Sequence, residues 1–278
     1  LDWDHMAVGM KTQLLMMSEA QGIPYPIVST HGSFGGISRD QAVRMYATGG
    51  HLFPSLGSAN GFKDRARDTR ALFDAAASSP DRVDIFALGY GTDTNGLSGQ
   101  AGSRGSGQIA DRPVEYPFEL FGSTDVFANL NDLFGTTSTV SFEQPSVEDP
   151  ATGEGRTWHI DTDGSAQYGM LADFVEELNL EANSTLSPAN GNSGQYEDAL
   201  RALFLSAEVY LQTWQKTIAS SDAIQTSGFV DPSVEVLRPA ARPPGAGGPN
   251  EDMNDPNINH FDAWGTVDDP YPPSNPGQ

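Results

Sequence analysis

The sequence predicts an α/β fold with a parallel β-sheet, forming the C-terminal half of a (β/α)8 TIM-type barrel. Three short strand-like runs lead to ionisable residues, His5, His31 and Asp93. Residues 6–26, between the two histidines, have the length of one helix and its turns, as in a parallel strand-helix unit. In a β/α barrel the C-terminal strand ends form the rim that carries the active site. We therefore expect these three side chains to meet at one edge of the sheet.

The first third of the chain predicts four strands separated by helices. Strands are expected at 1–5, 25–30, 49–55 and 83–88, and helices at 6–21, 38–47 and 61–78. Ser38 is a typical N-cap residue for the second of these helices. Because no hairpin signal separates the units, a parallel sheet is favoured over a sandwich. Four strands are too few to close an eight-stranded barrel, so we expect the first half of the barrel to come from outside these residues.

The pattern changes after Gly96, where a Gly/Ser-rich loop covers residues 98–107. Residues 111–150 carry aromatic side chains without a clear period, which predicts irregular structure. A short strand is expected at 157–160, and helices at 168–178 and 196–220. We divide the chain into three parts: a half-barrel with its site loops at 1–110, a loop-rich and helical extension packed on it at 111–225, and a Pro/Gly-rich extended tail at 226–278.

Composition limits the partners of this protein. The formal net charge is −22, from 37 acidic and 15 basic residues, which disfavours a nucleic-acid backbone or an anionic membrane surface. No stretch approaches the ~20 apolar residues of a membrane span. The absence of cysteine excludes disulfides and thiolate metal sites. A lysine-poor acidic composition suits an extracellular or saline setting, and plain solubility explains it equally well.

The convergent residues fit a divalent metal site, with zinc the expected ion. Neutral imidazole is the commonest metal ligand, and a carboxylate from a neighbouring strand end completes a water-binding site. Such an ion lowers the pKa of bound water toward about 7 for attack on an amide or ester. The alternative is that His5, His31 and Asp93 only cap turns. Asp2 and Asp4 either orient an imidazole or are simply solvated.

The other candidates have weaker cases. His51 begins its strand and should face the opposite end of the sheet, His159 is expected to be packed or on the surface, and His260 lies in the tail. The run 161–164 is similar to the start of a calcium loop but lacks the later acidic ligand, so we expect an Asx turn. The glycines of 89–96 do not form a phosphate-binding fingerprint, because no helix follows directly.

At these motifs the chain resembles the membrane dipeptidase (renal dipeptidase) family and the wider amidohydrolase-like metal-dependent hydrolases. The matching runs are Asp4-His5-Met6, Ser29-Thr-His31-Gly32 and Gly89-Tyr-Gly-Thr-Asp93-Thr-Asn-Gly96. The resemblance implies a (β/α)8 barrel whose dinuclear zinc site hydrolyses dipeptides and related amides. It implies that His5 and His31 are metal ligands from the fifth and sixth strands, and that Asp93 from the eighth is the proton-transferring carboxylate or an additional ligand. Tyr90 and Asn95 of the same loop are the candidate substrate-binding residues.

The resemblance also has gaps. The first-strand His-x-His or His-x-Asp pair and the bridging residue of the fourth strand are missing, and Gln167 stands where a histidine is expected. We therefore expect a metal-dependent hydrolase that binds one or two ions and works only with an N-terminal fragment or second chain. Its substrate would be a peptide or another small molecule, and its location extracellular or periplasmic. The alternatives are a catalytically degenerate hydrolase fold with a structural or binding role and, less favoured, a carbohydrate-binding module.

Overall fold

The structure is a computed structural model that describes residues 1–32, 37–55, 57–92, 101–122, 138–183 and 193–228. Asp93, Asn95, His260 and the tail from residue 229 onward lie outside the described residues. Predictions that concern them therefore stay predictions.

Four extended segments lie side by side and in parallel, in chain order. They are joined by isolated parallel bridges between Asp2 and Val28, Ser29 and Leu52, and Ser55 and Gly91. Three helices connect them: α1 (Val8–Glu19), α2 (Arg39–Ala47) and α3 (Ala59–Ala75). The predicted parallel order of the four strands is thus present as single bridges between short segments. Across the described ranges no barrel closes, and the half-barrel assignment stays a prediction.

Helix α2 begins where the sequence predicts it. The Ser38 hydroxyl accepts a hydrogen bond from Gln41 N at 3.2 Å, and Ser38 N donates to Gln41 Oε1 at 2.9 Å. This reciprocal capping box satisfies two backbone donors that would otherwise be unpaired at the helix start.

The connecting helices and the parallel segments share one apolar core. Its largest fully buried members come from the first three segments and from all three helices: Trp3, Leu15, Ile27, Met45, Tyr46, Leu52 and Leu72. Each Å² of apolar surface that this core removes from water stabilises the packing of the helices on the segments by about 25 cal/mol.

Two antiparallel strand pairs lie in and directly after the region predicted to be irregular, 111–150. Strand β1 (Phe118–Phe121) pairs with β2 (Thr139–Phe142), and β3 (Ser146–Glu148) pairs with β4 (Gly155–Thr157). These strands are only three or four residues long, and β3 and β4 are exposed throughout, so they carry no alternating apolar pattern. The predicted strand at 157–160 is wrong, because β4 ends at Thr157 and a single helical turn, α5 (Ile160–Asp163), follows it.

A helical layer completes the described fold. Besides the short α4 (Ser106–Asp111), it contains α6 (Leu171–Ala182), α7 (Ser193–Phe204) and α8 (Ser206–Ser227). The single helix predicted at 196–220 is in fact two, with Leu205 between them. Helix α7 packs on α3 and α6, whereas α8 runs across the N-terminal starts of the parallel segments. A continuous helical pattern does not reveal this change of partner.

Three hydrogen bonds place α8 at those segment starts. Gln212 accepts from Asp84 N at 2.9 Å, Thr213 Oγ1 donates to Gly49 O at 3.0 Å, and Ser220 Oγ donates to Ile23 O at 2.8 Å. Helix α8 therefore lies at the end of the sheet opposite to the predicted site. None of the helices in the described part of the chain has the length and apolar character needed to span a membrane.

Candidate metal centre

The structure brings His5 and His31 together where the first and second parallel segments end. Their Nε2 atoms are 2.8 Å apart, and the ring centroids are separated by 4.8 Å. His5 is exposed, and the His31 side chain is 24% exposed. Because neighbouring parallel strands end at one edge of a sheet, residues 26 positions apart in the sequence meet in space.

His5 has an unusual backbone conformation that helps to create this contact. Its φ is 64°, in the left-handed region that costs a side-chain-bearing residue about 1–2 kcal/mol. Met6 N donates to Trp3 O at 3.0 Å, which closes a tight turn around His5. The chain leaves the first segment through this turn, and the His5 imidazole lies against that of His31.

The Asp4 carboxylate orients His31. Its Oδ1 accepts from Ser29 Oγ at 2.7 Å, and its Oδ2 accepts from Thr30 N at 2.8 Å and from His31 N at 2.9 Å. The same Oδ2 lies 3.3 Å from His31 Nδ1. The Asp4 side chain is only 8% exposed, so these bonds form away from bulk water. A carboxylate on Nδ1 leaves Nε2 as the nitrogen available to a ligand.

Asp2 adds a second carboxylate at the rim. It accepts a hydrogen bond from Asp4 N at 2.9 Å and another from the Thr30 hydroxyl. One ligand atom each from Asp2, Asp4 and His31 lie within 4.8 Å of one another. Sequence reasoning did not identify Ser29 and Thr30, although they directly precede His31 in the motif that we quoted for it.

The donor set fits a divalent ion such as zinc. Imidazole nitrogen and carboxylate oxygen are ligands that zinc takes in proteins. Two imidazole nitrogens on one tetrahedral zinc lie about 3.3 Å apart, since each Zn–N bond is about 2.0 Å long. The observed Nε2 separation of 2.8 Å is shorter than that distance, so the two rings would have to move apart to share an ion. The residues that could hold the ion are His31, with the His5 ring in contact with it, and the carboxylates of Asp2 and Asp4, which form one group with His31.

The loop that carries Asp93 begins next to this pair. Gly91 lies so close to His31 Cα and the Thr30 carbonyl oxygen that a Cβ atom at Gly91 would overlap both. Glycine is therefore required where the fourth segment passes the histidine. Asp93 and Asn95 lie outside the described residues, and their roles stay predictions.

Tyr90 faces the interior of the protein. Its ring makes edge contacts with Phe62 and Phe174, with centroids 6.3 Å and 5.7 Å away. Burial raises the pKa of its hydroxyl to about 12. The structure thus places Tyr90 partly in the core formed with α3 and α6, and its predicted role in substrate binding is untested.

The remaining described histidines lie elsewhere. His51 is fully buried at the opposite end of the sheet, where the sequence places it, with Nδ1 3.0 Å from Thr213 Oγ1. Burial lowers its pKa to about 4, so it is neutral near pH 7. His159 caps α5 by accepting from Asp161 N at 3.2 Å, and its ring lies 5.2 Å from that of Tyr116.

The acidic run at 161–164 takes part in ion pairs. Asp161 binds the buried Arg104, with Oδ1 3.1 Å from Nη2, and Asp163 lies 3.3 Å from the Arg156 guanidinium. Arg104 also binds Glu181 Oε1 at 2.9 Å and lies 3.5 Å from Glu177 Oε1. Burial raises the pKa of Glu177 to about 8. This cluster ties the loop before α4 to α6 and already contains its own cation.

Comparison with protein-family models, curated proteins and solved structures finds no match to this chain.

Proposed function

We propose that this chain carries part of the active site of a metal-dependent hydrolase that cleaves an amide, peptide or related ester bond. The observation that carries the proposal is the approach of the His5 and His31 Nε2 atoms to 2.8 Å, with the Asp4 carboxylate behind His31. When bound, a divalent ion such as zinc would polarise a carbonyl oxygen and lower the pKa of water. The family resemblance of the three motifs supports the same class of reaction.

Each residue of the proposed site would have its own role. His5 and His31 would supply neutral nitrogen ligands, and Asp4 would keep His31 in the tautomer that leaves Nε2 unprotonated. Asp93 would hold and transfer the proton that passes from water to the leaving group. Tyr90 and Asn95 would contact a dipeptide-like substrate. One or two ions would be bound, depending on the ligands that complete the site.

The site is completed, in this proposal, by an N-terminal fragment or a second chain that adds strands to the sheet. Within the described ranges, the first segment pairs through Asp2 on one side only, with Val28. Leu1 on this edge and Val8 and Met10 on the neighbouring α1 are each more than half exposed. Apolar side chains beside an unpaired segment favour a covering partner. An extracellular or periplasmic location, supported by the acidic composition, belongs to the same proposal.

The test is a zinc titration of the chain followed by ¹⁵N NMR of its imidazoles. We expect saturable binding in which the Nε2 signals of His5 and His31 shift together, while those of His159 do not move. His31→Ala should lower the zinc affinity by at least about tenfold, because one of two imidazole ligands is lost. His159→Ala is the matched control. If neither His5 nor His31 responds to zinc, the metal-site proposal fails.

The same distance between the His5 and His31 Nε2 atoms also supports a second function. A separation of 2.8 Å is also that of an ordinary N–H···N hydrogen bond, so the two imidazoles can link the strand ends without an ion. The chain would then be a catalytically degenerate hydrolase fold with a structural or binding role. In that case zinc would leave the unfolding temperature unchanged, and His31→Ala would lower it.

A further inference from the structure

A cavity of about 510 Å³ is lined by residues that do not include the histidine pair. It lies between α3, the stretch 82–86 and α7, so it borders the start of the fourth segment, whereas His31 meets the end of that segment. Small-molecule sites are usually about 300–1,000 Å³ in volume. Nothing in the proposed hydrolase site uses this cavity.

Arginine is concentrated in the cavity wall. The chain has only 15 basic residues against 37 acidic ones, yet Arg67, Arg70, Arg82 and Arg201 all line it. Three aspartates, Asp74, Asp84 and Asp198, line it as well. The wall therefore has more positive than negative side chains, in a protein whose overall charge is −22.

Two of these arginines lie against aromatic rings that line the cavity, those of Phe73 and Phe86. The Arg82 guanidinium lies 4.0 Å from the Phe73 ring centroid and donates to Phe73 O at 2.9 Å. The Arg70 guanidinium lies 5.3 Å from the Phe86 centroid, and its Nε donates to Asp74 at 3.0 Å. These contacts hold both guanidinium groups against the aromatic rings, and a guanidinium has five N–H donors, more than these bonds use.

Two further groups at the cavity lack partners. Arg201 is exposed and makes no ion pair with any residue that the structure describes. The amide oxygen of Gln195 is buried and, among the described residues, has no hydrogen-bond donor. An unpaired guanidinium and an unsatisfied acceptor on the same helix α7 therefore line one cavity.

We propose that this cavity binds a small organic anion, with its carboxylate or phosphate group on Arg82 and Arg201 and its apolar body against Phe73 and Phe86. The planar guanidinium fork matches the oxygen atoms of both anions. The Phe73 and Phe86 rings favour an anion with an apolar organic group over an inorganic ion. A hydroxyl or amide of the ligand would satisfy Gln195.

The experiment is isothermal titration of the whole chain at low ionic strength with phenyl phosphate and with benzoate as probes. We expect saturable binding of one molecule per chain for at least one probe, and binding at least about tenfold weaker for phenol and for inorganic phosphate, because each lacks one half of the recognition. A response to phenyl phosphate alone identifies phosphate as the bound group, and a response to benzoate alone identifies carboxylate.

Two variants test the placement. Arg201→Gln should weaken binding by about tenfold without changing the unfolding temperature, because this side chain is exposed and unpaired in the described structure. Arg156→Gln is the control, since Arg156 is also an exposed arginine, with 61% of its side chain exposed, but lies outside the cavity. The absence of saturable binding for both probes overturns the proposal. The proposal is also overturned if Arg201→Gln binds the responding probe as tightly as the unchanged chain does. It fails too if phenyl phosphate and inorganic phosphate both bind and phenyl phosphate binds no more tightly.

Discussion

Replacing Asp4 tests whether its carboxylate holds the end of the second segment and the orientation of His31. Asp4→Ala removes the acceptor of three hydrogen bonds, from Ser29 Oγ, Thr30 N and His31 N. Each is worth about 1 kcal/mol, and backbone donors left unpaired away from water cost about 1–3 kcal/mol. We therefore expect Asp4→Ala to lower the free energy of unfolding by about 3 kcal/mol.

Asp4→Asn separates hydrogen bonding from charge. Its amide oxygen can accept from Thr30 N and His31 N, and its amino group can donate to the Ser29 hydroxyl, so most of the stability should return. The negative charge near His31 Nδ1 is lost. The zinc affinity should therefore stay about 10–100-fold below that of the unchanged chain, as in other cases where the carboxylate behind a metal-binding histidine is removed.

The assays are urea unfolding and zinc titration of the same samples. Asp40→Ala is the control, because that carboxylate is 76% exposed and forms only a surface pair with Arg44 at 3.4 Å, which should matter by less than about 1 kcal/mol. If Asp4→Ala unfolds within about 0.5 kcal/mol of the unchanged chain, the hydrogen bonds do not stabilise the segment ends as argued. If Asp4→Asn binds zinc normally, Asp4 does not act through His31.

Three further predictions concern packing and pH. Gly91→Ala should destabilise the fold by at least about 2 kcal/mol in urea unfolding, because its Cβ would overlap His31 and Thr30. The control is Gly9→Ala in α1, where a Cβ meets nothing within 4 Å, and this variant should be about 0.5–1 kcal/mol more stable. Equal effects of the two substitutions would contradict the close approach at Gly91. The folded-state pKa of Glu177, about 8, lies above its ordinary 4.5, so between these values the folded protein holds a proton that the unfolded chain has lost. Stability should therefore fall as the pH rises from 4.5 to 8, by at most about 1.4 kcal/mol per pH unit. Glu177→Gln should flatten that part of the stability profile, and an unchanged slope would refute the assignment. The folded-state pKa of His51, about 4, lies below its ordinary 6.5, so the stability that neutral His51 contributes should be lost as the pH falls from 6.5 to 4. His51→Gln should reduce this acid sensitivity in thermal unfolding. An unchanged pH profile would show that His51 is not the source of the acid sensitivity.

The parts of the fold that follow from local signals were predictable. Ser38 and Gln41 lie three residues apart and form the capping box of α2 by themselves, so the helix start needs no distant contact. The contact of His5 with His31 follows from the parallel order of two neighbouring segments, which the apolar runs and their spacing indicate. The opposite placement of His51 follows from its position at the start of a run.

The short strand pairs and the break at Leu205 were not predictable in the same way. Strand β3 is exposed along its whole length, so its pairing with β4 depends on backbone hydrogen bonds that no residue pattern records. Helices α7 and α8 both carry apolar side chains at helical spacing through the break, but they pack on different partners. Which partner a helix meets is a property of the assembled layers.

Residue type and spacing alone were enough to predict four parallel segments in chain order and two histidines at neighbouring ends. The length of each apolar run is a local property, and a helix-length connection between two runs favours parallel pairing. Distant contacts set the rest. The Asp4 carboxylate became the support of His31 only when residues 25–27 positions apart came together. Arg70 and Arg201 came to line one cavity because α7 packs against α3. Which residues become partners depends on how whole helices and segments pack, because the free energy of a polar contact depends on how deeply its surroundings are buried.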